Sequence, residues 1–123
     1  MPVSYRIDPE EKIVYLTTVG DSSLAEWTEV MLTVLTDPSY QPGFNFLSDR
    51  RGESDVPSVE FAQGAASFLK LHRKEMGSFR WAAVSDRPAI YGMQRMFAVF
   101  SEMKGIQAEV FSDFENARQW LLR

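Results

Sequence analysis

"FNFLSDRRGESDVPSVEFAQGAASFLKLHRKEMGSFRWAAVS", residues 44–85, changes its hydrophobic period twice. Phe44–Asp49 is a short β-type run that ends in charge. Phe61, Ala65, Phe68, Leu69, His72 and Met76 then recur at spacings of three and four, which puts them on one helix face. Phe79–Ser85 is mostly apolar, as a strand covered on both faces should be. Pro57 marks the helix entry, with Ser54 or Asp55 as the cap. Lys70, Arg73 and Lys74 suit the negative end of the helix dipole, and Gly77 can close it. A strand–helix–strand step of this kind is a right-handed crossover that makes its two strands parallel. The class is therefore α/β.

Outward from that unit the alternation continues. Upstream, "VSYRID" and "KIVYLTTVG" flank "PEE", a hairpin with Pro9 in its turn. Leu24, Trp27, Val30, Met31, Val34 and Leu35 form the stripe of a first helix, and Ser23 with Glu26 reads as a capping box. Pro38, Pro42 and Gly43 end that segment. Downstream come a helix from about Pro88 to Lys104, the strand "IQAEVF", and a last helix opened by a second capping box, Ser112 with Glu115. The order is ββαβαβαβα: one domain over residues 1–123, with an about five-stranded, mostly parallel sheet and four helices. The first strand is antiparallel at an edge.

Composition narrows the function. A chain of 123 residues can bury roughly two thirds of its unfolded surface and needs no covalent staple. It has no cysteine, which excludes disulfides, thiolate chemistry and cysteine-ligated metal. With no signal-peptide pattern and no apolar run long enough for a membrane span, a cytoplasmic location is expected. The net charge of −4 and the lack of a basic strip argue against nucleic acid as a partner.

Parallel α/β sheets bind ligands beyond the carboxyl ends of their strands. This topology delivers Asp21 and Ser22 there from the second strand, Asp49, Arg50 and Arg51 from the third, and Asp86 and Arg87 from the fourth. They are the candidate ligand or partner rim. The plainer reading makes the acids helix caps and the arginines solvated charges. Asp21, Asp49 and Asp86 also look like an acidic magnesium pocket, but a phosphoacceptor site would need a lysine where this chain has "FSDF", so no metal or cofactor is expected. His72, the sole histidine, lies roughly 22 Å along its helix from Pro57, too far from Ser22, Ser54 or Ser85 to act as their base. No phosphate-binding glycine loop or GxSxG motif occurs, and no catalytic residue is assigned. The third helix carries two apolar stripes: Ile90, Met93, Phe97 and Phe100, then Met96, Val99 and Met103 with Tyr91 nearby. One stripe suffices to cover a sheet, so the second is a candidate homodimer or apolar-ligand face.

Three stretches, "YRIDPEEKIVYLTTVG", "FLSDRRG" and "VFSDFENARQWL", together with the element order, resemble bacterial STAS-like proteins, the anti-sigma-factor-antagonist type. The resemblance spans nearly the whole chain. It implies a non-enzymatic regulatory or protein-interaction domain with a protein partner. In the STAS switch proteins an Asp-Ser-Ser/Thr-Gly segment opens the second main helix and its first hydroxyl is phosphorylated. This chain has "SDVPSVEF" there, which leaves Ser54 and Ser58 as candidate modification sites. The related Sec14-like lipid-binding fold implies the alternative, a binder of a small apolar or acyl ligand.

Overall fold

The computed structural model describes residues 2–123. Its strands are β1 (Val3–Asp8), β2 (Ile13–Gly20), β3 (Asn45–Glu53), β4 (Arg80–Val84) and β5 (Gln107–Phe111). Its helices are α1 (Leu24–Thr36), α2 (Val59–Leu71), α3 (Arg73–Met76), α4 (Pro88–Met103) and α5 (Phe114–Leu122). The strands lie in chain order across one sheet; β1 pairs with β2 antiparallel, and every other pair is parallel. Among the described residues no helix is long and apolar enough to cross a membrane.

Strand order decides which face each helix covers. Right-handed crossovers that each step one strand in the same direction put their helices on the same side. So α1, α2 and α4 share one face, over Leu16, Phe46 and Trp81. Trp81 stacks on Phe46 at 5.1 Å between ring centroids, and Trp27 of α1 reaches it at 6.1 Å. Side chains alternate along a strand, so Leu47, next to Phe46, points the other way. There it meets Ile13, Ala82 and Val84 beneath Ala117 and Leu121 of α5, the one helix on that face. The α5 carbonyls are satisfied from the sheet: Arg80 Nη1 donates to Trp120 O at 2.8 Å and Asn45 Nδ2 to Leu121 O at 3.1 Å. Arg118 pairs with Glu11 of the hairpin turn and with Glu115.

Three local expectations change. The second main helix breaks at His72 (φ −99°, ψ 17°), so there are five helices rather than four. Met76 of the short α3 is fully buried in the core, and its carbonyl accepts the Gly43 N–H at 2.8 Å. The cap of α2 is Ser58, whose Oγ accepts the Phe61 N–H at 3.0 Å, and neither Ser54 nor Asp55. Pro57 keeps Val56 out of helical geometry, so the helix starts after the proline. At α5 the cap is Asp113, accepting from Asn116 N at 2.8 Å, and Ser112 takes no part. The Ser23–Glu26 capping box forms as read, at 3.1 and 3.0 Å.

Because α5 alone seals its face, Leu121→Ala should lower unfolding free energy by about 2–5 kcal/mol. Urea denaturation should show a lower midpoint with an unchanged slope.

Candidate functional site

β3 outruns β4. Its pairing with β4 ends at Asp49↔Val84, while its pairing with β2 continues to Gly20↔Glu53. Along that extension β2 advances from Thr17 to Val19 as β3 advances from Asp49 to Gly52, so β3 carries one extra residue, a β-bulge. In a regular strand residues three apart face opposite sides. The extra residue shifts the phase by one and returns Glu53 to the face of Arg50. Arg50 Nη1 meets Glu53 Oε2 at 2.9 Å, with both side chains only 3% exposed, and the guanidinium lies over the Phe61 ring. Burial pushes the Arg50 guanidinium down and the Glu53 carboxyl up, each opposed by the other's charge.

Asp49 and Arg51 go to the opposite face. Arg51 grips the Asp49 carboxylate with two hydrogen bonds, 2.9 Å from Nε and 2.8 Å from Nη2, and lies over the Phe114 ring of α5. Burial raises the Asp49 carboxyl, but the hydrogen bonds and charge of Arg51 outweigh it and the net shift is downward. Asp49 holds Arg51 upward, helped by the charges of Asp86 and Asp113. The expected single rim is therefore divided by the sheet: Arg50 inward beneath α2, Asp49 and Arg51 toward α5. Arg50 is also not the solvated charge of the plainer reading.

The remaining rim residues mostly tie loops together. Asp21 Oδ1 accepts the Asp55 N–H at 3.1 Å, and Gly20 O accepts the Ser54 N–H at 3.2 Å. Arg87 Nη1 donates to the carbonyls of Glu53 and Ser54 at 2.6 and 2.9 Å. Asp86 is exposed, and Ser22 Oγ is buried with no partner among the described residues. Asp21, Asp49 and Asp86 do not converge; no group of three acidic or histidine side chains among the described residues is placed to hold a metal. His72 sits at the far end of α2, its ring 4.2 Å from that of Phe68 and its Nδ1 3.0 Å from Glu75 Oε1. Ser54 and Ser58 are both exposed at the rim end.

On α4 the first stripe faces inward, with Ile90 and Phe97 buried and Met93 and Phe100 packed against the core. Gln94 and Ser101 are buried too, which an apolar-stripe reading does not find. The second stripe is open: Met96 is 38%, Val99 53% and Met103 79% exposed. Tyr91 stands apart from it, half-buried against the core. Between α4 and α2 the cavity is about 10 Å³, room for about one water. The buried Arg50–Glu53 pair also escapes sequence reading, because only the bulge brings residues three apart in a strand to one face.

No protein-family model matches this chain, and neither does any curated protein.

Removing one partner of a buried ion pair strands the other's charge. Glu53→Gln should cost about 3–5 kcal/mol in a urea titration, while Arg50→Met with Glu53→Gln should recover most of it. At the α2 cap, Ser58→Ala should cost about 1 kcal/mol, whereas Ser58→Asp should stay close to the parent because a carboxylate caps equally well.

Proposed function

We propose that this chain is a non-enzymatic regulatory or protein-interaction domain of STAS-like type that works in the bacterial cytoplasm as a homodimer built on α4. The observation that carries this reading is the open stripe of Met96, Val99 and Met103 on a helix whose other side is already buried. Methionine adapts to a partner surface, and exposed apolar side chains lined up on one helix mark an interaction face. Charge complementarity favours a second copy as the occupant. Arg95 and Glu102 are both exposed on this helix, roughly two turns apart, with Val99 near their midpoint. A two-fold axis through Val99 sets Arg95 of one protomer against Glu102 of the other, twice, as an isologous contact requires. Gly92 extends the stripe with open space above it, which lets the helices approach closely.

The rim supports a regulatory role over a catalytic one. Its arginines are engaged by carboxylates and carbonyls within the chain, and the imidazole lies at the other end of the strands. Ser54 and Ser58, both exposed, are the hydroxyls nearest the place where STAS switch proteins carry their phosphate. Modification of either would put the control site beside the α2 N-terminus.

Light scattering at high protein concentration should give twice the chain mass, and Val99→Glu should halve it. Arg95→Glu should weaken the dimer, and adding Glu102→Arg should restore it; a monomer throughout, or no rescue, rejects the α4 interface.

A further inference from the structure

The helix α4 carries a glycine that no neighbour among the described residues explains. Gly92 lies in its second turn, exposed. Glycine inside a helix is destabilising relative to alanine, because it gives up the most backbone freedom on folding. The usual reasons for accepting that loss are missing. Gly92 is not among the glycines with positive φ, and a Cβ there would meet no atom within 4 Å. Gly64 of α2 is the contrast: a Cβ at that position would run into Leu24 Cδ2, so packing against α1 accounts for it.

The missing side chain at residue 92 leaves a hollow. Gly92, Arg95, Met96 and Val99 bound an open surface depression of about 200 Å³, with Phe100 also on its wall. Those four residues stand at i, i+3, i+4 and i+7. That is the hole that takes one side chain of a facing helix in knobs-into-holes packing. Gly92, Met96, Val99 and Met103 also follow one another at steps of four, three and four, the seam of a helix pair. The two-fold axis through Val99 identifies the knob. It reverses direction along the helix, so the level between Arg95 and Met96, where the hole is centred, faces the level of Glu102 and Met103 of the second copy. Glu102 is matched to Arg95 by charge. Met103 is the most exposed large apolar side chain among the described residues, and a long unbranched thioether adapts to an irregular hollow. We propose that Met103 of each protomer seats in the Gly92 hollow of the other, and that this pair sets the register in which two antiparallel α4 helices recognise each other. The inference rests on the α4 dimer reading. It adds that the bare position at 92 selects a second copy of this chain as the occupant.

The test is a double-mutant cycle on the full chain, with the dimer dissociation constant measured by sedimentation equilibrium. Gly92→Met fills the hollow and should weaken the dimer by about tenfold or more. In the monomeric Val99→Glu background the same change should raise the melting temperature, since the helix loses its glycine and nothing in the chain is displaced. Met103→Ala removes the knob and should also weaken the dimer. Joining Met103→Ala to Gly92→Met should recover much of the affinity, because the methionine at 92 then fills the space from the other side. A Gly92→Met dimer as tight as the parent, or two changes whose effects simply add, overturns the Gly92–Met103 seat while the dimer itself stands. A parent chain that is monomeric at every concentration overturns the α4 reading, and this inference with it.

Discussion

Arg50 and Glu53 are buried side by side, and they can meet because β3 carries one residue more than β2 over the same length. Taking two charges out of water costs several kcal/mol for each, and only close pairing with good geometry offsets it. The bulge supplies that geometry at 2.9 Å. Gly52 sits in the bulge where space is tight: a Cβ there would lie 3.2 Å from Thr18 O and from Val19 Cγ2. Much of the loop edge then follows. Glu53 presents its carbonyl to Arg87, which draws the loop after β4 onto β3, and Ser54 and Asp55 are held by the loop after β2. Arg50 in turn forms one wall of the small cavity beneath α4.

The order of strands has a second consequence. With strands in sequence and helices on one side, α1, α2 and α4 form a row, and α4 is its last member. It packs on α2 along one flank and on β5 below, and among the described residues no other element packs closely on its outer flank. The second stripe of α4, with Met96 and Val99, is open for that reason: the row of helices ends there. The opposite face of the sheet is economical by contrast, with α5 alone covering it and the side chains of Arg80 and Asn45 finishing that helix.

Much of this was legible in the residues. The hairpin, the parallel strands and each main helix follow from hydrophobic period and turn residues, which are properties of neighbours along the chain. The Ser23–Glu26 box was legible for the same reason, since both its hydrogen bonds close within four residues. Where several cap residues adjoin, sequence spacing alone did not choose among them: Ser58 prevailed over Ser54 and Asp55, and Asp113 over Ser112. The break at His72 was not legible: no proline or glycine marks it, and the Met76 carbonyl after it is engaged by Gly43, from another part of the chain.

By itself, then, the sequence determined the class of fold, the order of its elements and the two apolar stripes of α4, since each is written in local periodicity. Only the tertiary structure decided that Arg50 turns inward while Asp49 and Arg51 turn toward α5, and that Glu53 returns to meet Arg50. Those outcomes depend on which face of a strand a side chain takes. A single extra residue in one strand, paired against a neighbour distant in the chain, reverses that choice without altering the hydrophobic pattern that precedes it.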